Sequence, residues 1–166
     1  MLSLLHALAL ATGPTTPLSL SVDVQPRSWV HRVDKVALTV SLSNTTEQPM
    51  EVLTGAVGHE AYFFIVRLVD ASGKVVAGEG PLFMATSDLP MPEFTRLAPH
   101  ATYQATLDWR LLYNLAPGKY RLSVLYRVDP RADPSSAGYY QGELKDHRAF
   151  VGQVESNVVE VVARDH

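Results

Sequence analysis

The sequence predicts an all-β sandwich of about seven to nine strands. Three observations predict it. Apolar residues recur with a period of two along most of the chain from residue 17 onward. Clusters of turn formers such as "SNTTEQP" (43–49) and "DASGK" (70–74) separate the alternating runs. No stretch of helical length has a 3.6-residue period, apart from an N-terminal apolar run and a single turn's worth in "WRLLYN".

The first 22 residues contain no Asp, Glu, Lys or Arg. "MLSLLHALALA" is apolar with small residues at Ala7, Ala9 and Ala11, and "TGPTTP" follows as a helix-breaking spacer. This pattern predicts a secretory signal peptide over 1–11, cleaved after Ala9 or Ala11, although its start carries no Lys or Arg. Residues 1–16 then form leader and spacer, residues 17–166 form one domain, and the location is secreted or periplasmic. The apolar run is too short to span a bilayer, so no integral membrane span is expected.

Strand A (17–26) alternates Leu18, Leu20, Val22 and Val24 with Ser19, Ser21, Asp23 and Gln25. Strand B (34–43) repeats the pattern with Val36, Leu38, Val40 and Leu42. "MEVL" at 50–53 is a shorter apolar piece. Strand C (61–69) lies in "AYFFIVRLVD", apolar on both faces and therefore central in its sheet. The tight turn "DASGK" places Gly73 where positive φ is needed and leads into C′ (74–78). Strand E (101–109) sets Tyr103, Ala105, Leu107 and Trp109 on one face. Strand F (120–128) sets Tyr120, Leu122, Val124, Tyr126 and Val128 against Arg121, Ser123 and Arg127. Strand G (152–163) contains "SN" at 156–157, which marks a bulge that switches the inward face. "RLAPHATYQATLDW" and "NLAPGKYRLSVLYR" echo each other, each placing Leu-Ala-Pro where a strand is reached from a corner.

Composition bounds the function. The 166 residues are 46% apolar and 19% charged, an ordinary globular balance. Net charge is −3 with acids and bases interspersed, so no basic patch invites nucleic acid. The absence of cysteine removes disulfides, thiolate metal sites and a Cys nucleophile.

Leu115-x-Pro117-Gly118-x-Tyr120 resembles the tyrosine corner of Greek-key sandwiches of immunoglobulin and fibronectin type III shape. The resemblance implies an immunoglobulin-like fold in which the Tyr120 hydroxyl bonds back to nearby backbone. From 34 to 128, the order of "LTVSLSNTTEQPMEV", "FFIVRLVDASGKVV", "LAPHATYQATLDW" and "LAPGKYRLSVLY" resembles the BsuPI-type intracellular proteinase inhibitors. Asn44, Asp70, Gly73, Pro99, Trp109, Gly118 and Tyr120 carry it, and they are turn and corner positions. That likeness implies the fold and, as an alternative function, protease inhibition. The leader and the tail from Asp129 depart from that family's pattern.

With the corner at one end, the long connections 44–60, 79–100 and 129–151 fall together at the other. Connections of this length in a compact domain are usually functional or disordered. Phe83, Met84, Met91 and Phe94 in the second, with Tyr139, Tyr140, Gln141 and His147 in the third, are the candidate binding residues. Aromatic and small polar residues on loops suit recognition of a protein partner, and the same aromatics would equally serve as a lid on the core. A non-catalytic binding or accessory module is therefore expected. "HEAYF" (59–63) opens like a zinc-protease motif but has Phe63 where a second His is required. There is no G-x-S-x-G or phosphate-binding loop, and Asp88 and Glu93 are an unremarkable loop pair. A copper- or metal-binding sandwich using Met50, His59, Met84, Met91, His100 and His147 is a further alternative, but no two of these share a ligand-spaced motif. No cofactor and no defined metal site are expected. Asn44-Thr45-Thr46 is formally a glycosylation acceptor, or simply a strand-end turn, and Trp29 and Trp109 are read as core or corner residues.

Overall fold

Period-two alternation becomes strand pairing wherever one face can be buried. The structure, a computed structural model, describes residues 16–30, 36–56, 63–77, 92–108, 115–128 and 149–165. These form β1 (Leu18–Gln25), β2 (Ser28–Val30), β3 (Ala37–Asn44), β4 (Met50–Ala56), β5 (Phe64–Asp70) and β6 (Val75–Ala77). β7 (Pro92–Leu97), β8 (Thr102–Asp108), β9 (Gly118–Val128), β10 (Gly152–Glu155) and β11 (Val159–Arg164) complete them. No helix occurs among the described residues.

One sheet has the order β1-β3-β8, a second β2-β11-β9-β5-β6 with β10 also on β9, and β4 and β7 form a separate two-stranded sheet. In sandwich terms the first two are A-B-E and A′-G-F-C-C′, the layout of an immunoglobulin-like fold. The first strand changes sheets between Gln25 and Ser28, where the Gln25–Pro26 peptide is cis. β2 then pairs parallel with β11. The described strands number eleven rather than about seven to nine, because β2, β4 and β7 are additional and strand G is divided.

The two inner faces meet in one apolar cluster. Leu18, Leu20, Val22 and Val24 of β1 and Leu38, Val40 and Leu42 of β3 face Leu122, Val124, Tyr126 and Val128 of β9. Trp29 is buried in the same cluster, while Trp109 lies outside the described residues. β5, between β9 and β6, is buried on both faces over Phe64–Val66 and at Leu68, with Arg67 exposed and Val69 and Asp70 half-buried. Burying side chains of this size contributes about 1.5–3 kcal/mol each before entropy is counted.

Strand G bulges at its middle. Glu155 opposes Leu125 while Val159 opposes Leu122, so three residues on one strand span two on the other. Val154 and Ser156 point inward before the bulge, and Val159, Val161 and Ala163 after it. The bulge is pinned: Ser156 N–H donates to Val124 C=O, and Val124 N–H donates to Ser156 Oγ, both at 2.8 Å. Next to it, the Asn157 side chain accepts Val22 N–H at 2.8 Å and donates to Val22 C=O at 3.1 Å. It acts as a one-residue strand on the edge of β1 and ties the two sheets together.

The tyrosine corner closes one end. Tyr120 Oη donates to Ala116 C=O at 2.6 Å, and the ring folds back over Gly118. At the same end the Asp70–Lys74 turn has Gly73 at φ 88°. The Asp70 carboxylate accepts from Ser72 Oγ, Ser72 N–H and Lys74 N–H, and the Ser72 hydroxyl is the main reason it is held below the usual carboxylate range.

Candidate functional site

At the end opposite the corner, the β3/β8 pair does not stop but bends. β3 ends at Asn44 and resumes as β4, while β7 turns at 98–101 into β8. β4 and β7 pair with each other, so the bent ribbon crosses the open end of the sandwich. Asn44 makes the bend. Its amide nitrogen donates to Gln48 C=O at 2.7 Å and Ala98 C=O at 3.1 Å, and its Oδ1 accepts from Thr46 N–H and Thr46 Oγ1. The residue is 1% exposed. It is a hinge pin rather than an acceptor displayed for a sugar chain.

The ribbon is fastened to the second sheet through Tyr126. Leu53 N–H donates to Tyr126 Oη at 3.0 Å, and the ring lies against Phe64 at 5.3 Å and Phe150 at 6.1 Å. Burial pushes the Tyr126 hydroxyl well above the ordinary tyrosine range, with the Leu53 hydrogen bond opposing in part. Phe150 N–H donates to Glu51 C=O at 2.8 Å, and Glu51 forms a parallel bridge with Ala149. Gly152 has φ 149°, and a Cβ there would sit 2.9 Å from the Phe150 ring. Only glycine lets the chain re-enter β10 with Phe150 in place. Thr54 and Thr95 hydroxyls, 2.9 Å apart, hold the two ribbon strands where the Leu53/Gly55 irregularity loosens their register.

The described parts of the three long connections therefore meet: 50–56 pairs with 92–97 and bridges to 149–150. Of the candidate binding residues, Phe94 is on β7 and packs half-buried against the core. Phe83, Met84, Met91, Tyr139, Tyr140, Gln141 and His147 lie outside the described residues. The same holds for His59 and Asp88, whereas Glu93 is exposed on β7 and Phe63 is buried in the core. Met50 packs half-buried on the core, and His100 is exposed in the β7–β8 turn beside Glu47 at 3.1 Å. Among the described residues no group of three or more His, Cys, Asp or Glu is placed to hold a metal ion.

The sequence places Asn44 in a strand-end turn but does not reveal its role, with Tyr126 and Gly152, in building this end. A signal for the first existed, since Asn at a strand terminus followed by Thr favours an Asx turn. Tyr126 was legible as inward-facing, but nothing local indicated what its hydroxyl binds.

Fold and end geometry define a class, the immunoglobulin-like Greek-key sandwich with one end closed by a bent ribbon. No family model matches the chain, and no curated protein matches it. Among the described residues no helix is long and apolar enough to cross a membrane.

Proposed function

We propose that the chain is a non-catalytic, exported binding or accessory module that takes a protein partner at the ribbon end. The supporting observation is that the three long connections spring from one hydrogen-bonded frame, β4, β7 and Ala149–Phe150. Loops rooted on a rigid frame keep their side chains positioned and lose less entropy on binding. Phe83, Met84, Met91, Tyr139, Tyr140, Gln141 and His147 supply the contact surface, and Phe94 belongs to its floor. Export rests on the charge-free apolar leader at 1–11.

The test compares wild type with a chain lacking 135–142 for capture of proteins from the native extract. The expected result is loss of specific partners with Tm within a few degrees, since shortening a connection that does not cap the core costs little. An identical partner set would reject the reading. A large fall in Tm would instead assign 135–142 to the lid.

A further inference from the structure

Strand pairing fixes which backbone groups of the β1-β3-β8 sheet are already used. The N–H and C=O of Val22 both bond to Asn157, so they point away from β3. In an antiparallel ladder successive residues direct their polar groups to alternate sides. Leu38, Val40, Leu42 and Asn44 of β3 therefore face β8, as the 3.0 Å bond from Asn44 N–H to Ala101 C=O requires. Their β8 partners Leu107, Ala105 and Tyr103 face back toward them. It follows that the N–H and C=O groups of Thr102, Gln104 and Thr106 point outward, along the far edge of β8. Among the described residues no strand pairs with that edge.

The two edges of this sheet are treated differently. The β1 edge carries the Asn157 cap. The β8 edge presents exposed, neutral Thr102, Gln104 and Thr106, and its register runs unbroken from 102 to 108. Lysines, prolines and bulges are the usual devices that keep an edge solitary, and β8 has none of them. We propose that β8 is a self-association edge, on which two copies of this chain join antiparallel about a two-fold axis at Gln104.

Self-pairing suits this strand for reasons of charge and geometry. A two-fold contact brings each residue against a fixed counterpart on an identical surface, so it tolerates no unanswered charge. Centred on Gln104, Thr102 meets Thr106 and Gln104 meets its own copy, giving about six N–H···O bonds and favourable Thr–Thr neighbours. Asp108, the one acidic residue in the β8 sequence, falls opposite residue 100 rather than opposite itself. Tyr103 and Ala105, half-buried at the sheet margin, become neighbours across the axis. This contact does not depend on the ribbon-end reading, because it uses a sheet edge and not the loops.

Sedimentation velocity on the full chain from about 1 μM to 1 mM spans the affinities expected of a short edge contact. The expected result is a concentration-dependent monomer–dimer equilibrium. Gln104→Pro removes an N–H that serves no bond among the described residues, so it should abolish the dimer and leave the monomer's Tm within a few degrees. Gln104→Lys sets two ammonium groups face to face and should weaken the dimer at least tenfold at low salt, with partial recovery at high salt. A wild type that stays monomeric at the top concentration overturns the proposal, even if its edge takes a strand from another protein. So does a dimer unaffected by both variants. Slow hydrogen exchange at Gln104 and Thr106 in the dilute monomer would also overturn it, since the edge would then be occupied from within.

Discussion

Asn44 illustrates how much one side chain can decide. Its amide supplies two donors to carbonyls on both sides of the ribbon's bend, and its oxygen organises the 44–46 turn. Replacing it with Ala removes these bonds together, although Gln48 C=O keeps the Thr46 Oγ1 bond and Ala98 C=O keeps the Ala101 N–H bond; the summed loss is about 2–3 kcal/mol. For a domain of this size Tm should fall by roughly 5–10 °C. Asn44→Asp should be no better, because an acceptor-only carboxylate would face those carbonyls. Unchanged melting of both variants would show that the bend is held by something else. Tyr120 is a milder case: Tyr120→Phe keeps the buried ring and loses only the hydroxyl bond to Ala116. About 1 kcal/mol is expected from urea denaturation, and an unshifted midpoint would remove the corner's energetic role. His100, at φ 59°, adopts a left-handed conformation that few non-glycine residues favour, so the 98–101 turn is dictated by tertiary context.

At the scale of elements, the legible strands are those whose own neighbours bury them. β1, β3 and β9 are legible because one face of each is fully buried, so the period alone gives their inward residues, even though Ser123 on the other face of β9 is also buried. The strand G bulge was also legible, because "SN" interrupts the alternation and the apolar parity flips across it. β2 was not, since three residues carry no period and their pairing partner, β11, lies over a hundred residues away. Nor was the β4–β7 ribbon foreseen. Met50 through Ala56 looked like part of a loop because their partners lie some 40 residues downstream and the bend that unites them depends on Asn44. The meeting of the long connections at one end of the sandwich was legible, but Phe94 shows the limit: packing against the core cannot be read from an aromatic in a presumed loop. The Asn157 cap yields a prediction at this scale. Asn157→Ala frees both polar groups of Val22 and should cost about 1–2 kcal/mol. Amide exchange at Val22 should accelerate, while Val40, bonded within the sheet, keeps its protection. Equal exchange at Val22 in both proteins would mean that the side chain caps nothing.

For the whole molecule, the two sheets are joined at separate places by different chemistry: Asn157 to Val22 along one edge, and Tyr126 to Leu53 under the ribbon. The second joint makes folding sensitive to alkali. Tyr126 is 0% exposed, and burial raises its hydroxyl pKa above that of a free tyrosine. In the unfolded chain the group ionises near pH 10. Below that pH both states hold the proton, and stability from this group is constant. Above it the unfolded state releases a proton that the folded state keeps, so stability falls with rising pH by up to about 1.4 kcal/mol per unit. Other groups also titrate there, which makes the comparison with Tyr126→Phe decisive. At neutral pH the variant should be weaker by about 1–3 kcal/mol, because Leu53 N–H loses its buried acceptor. As the pH is raised from 10 to 12, only the wild type carries the ionisation penalty of this residue, and the gap between the two proteins should close. Parallel stability curves through that range would show that the Tyr126 hydroxyl is not shielded from water, and that the ribbon does not seal this end of the sandwich.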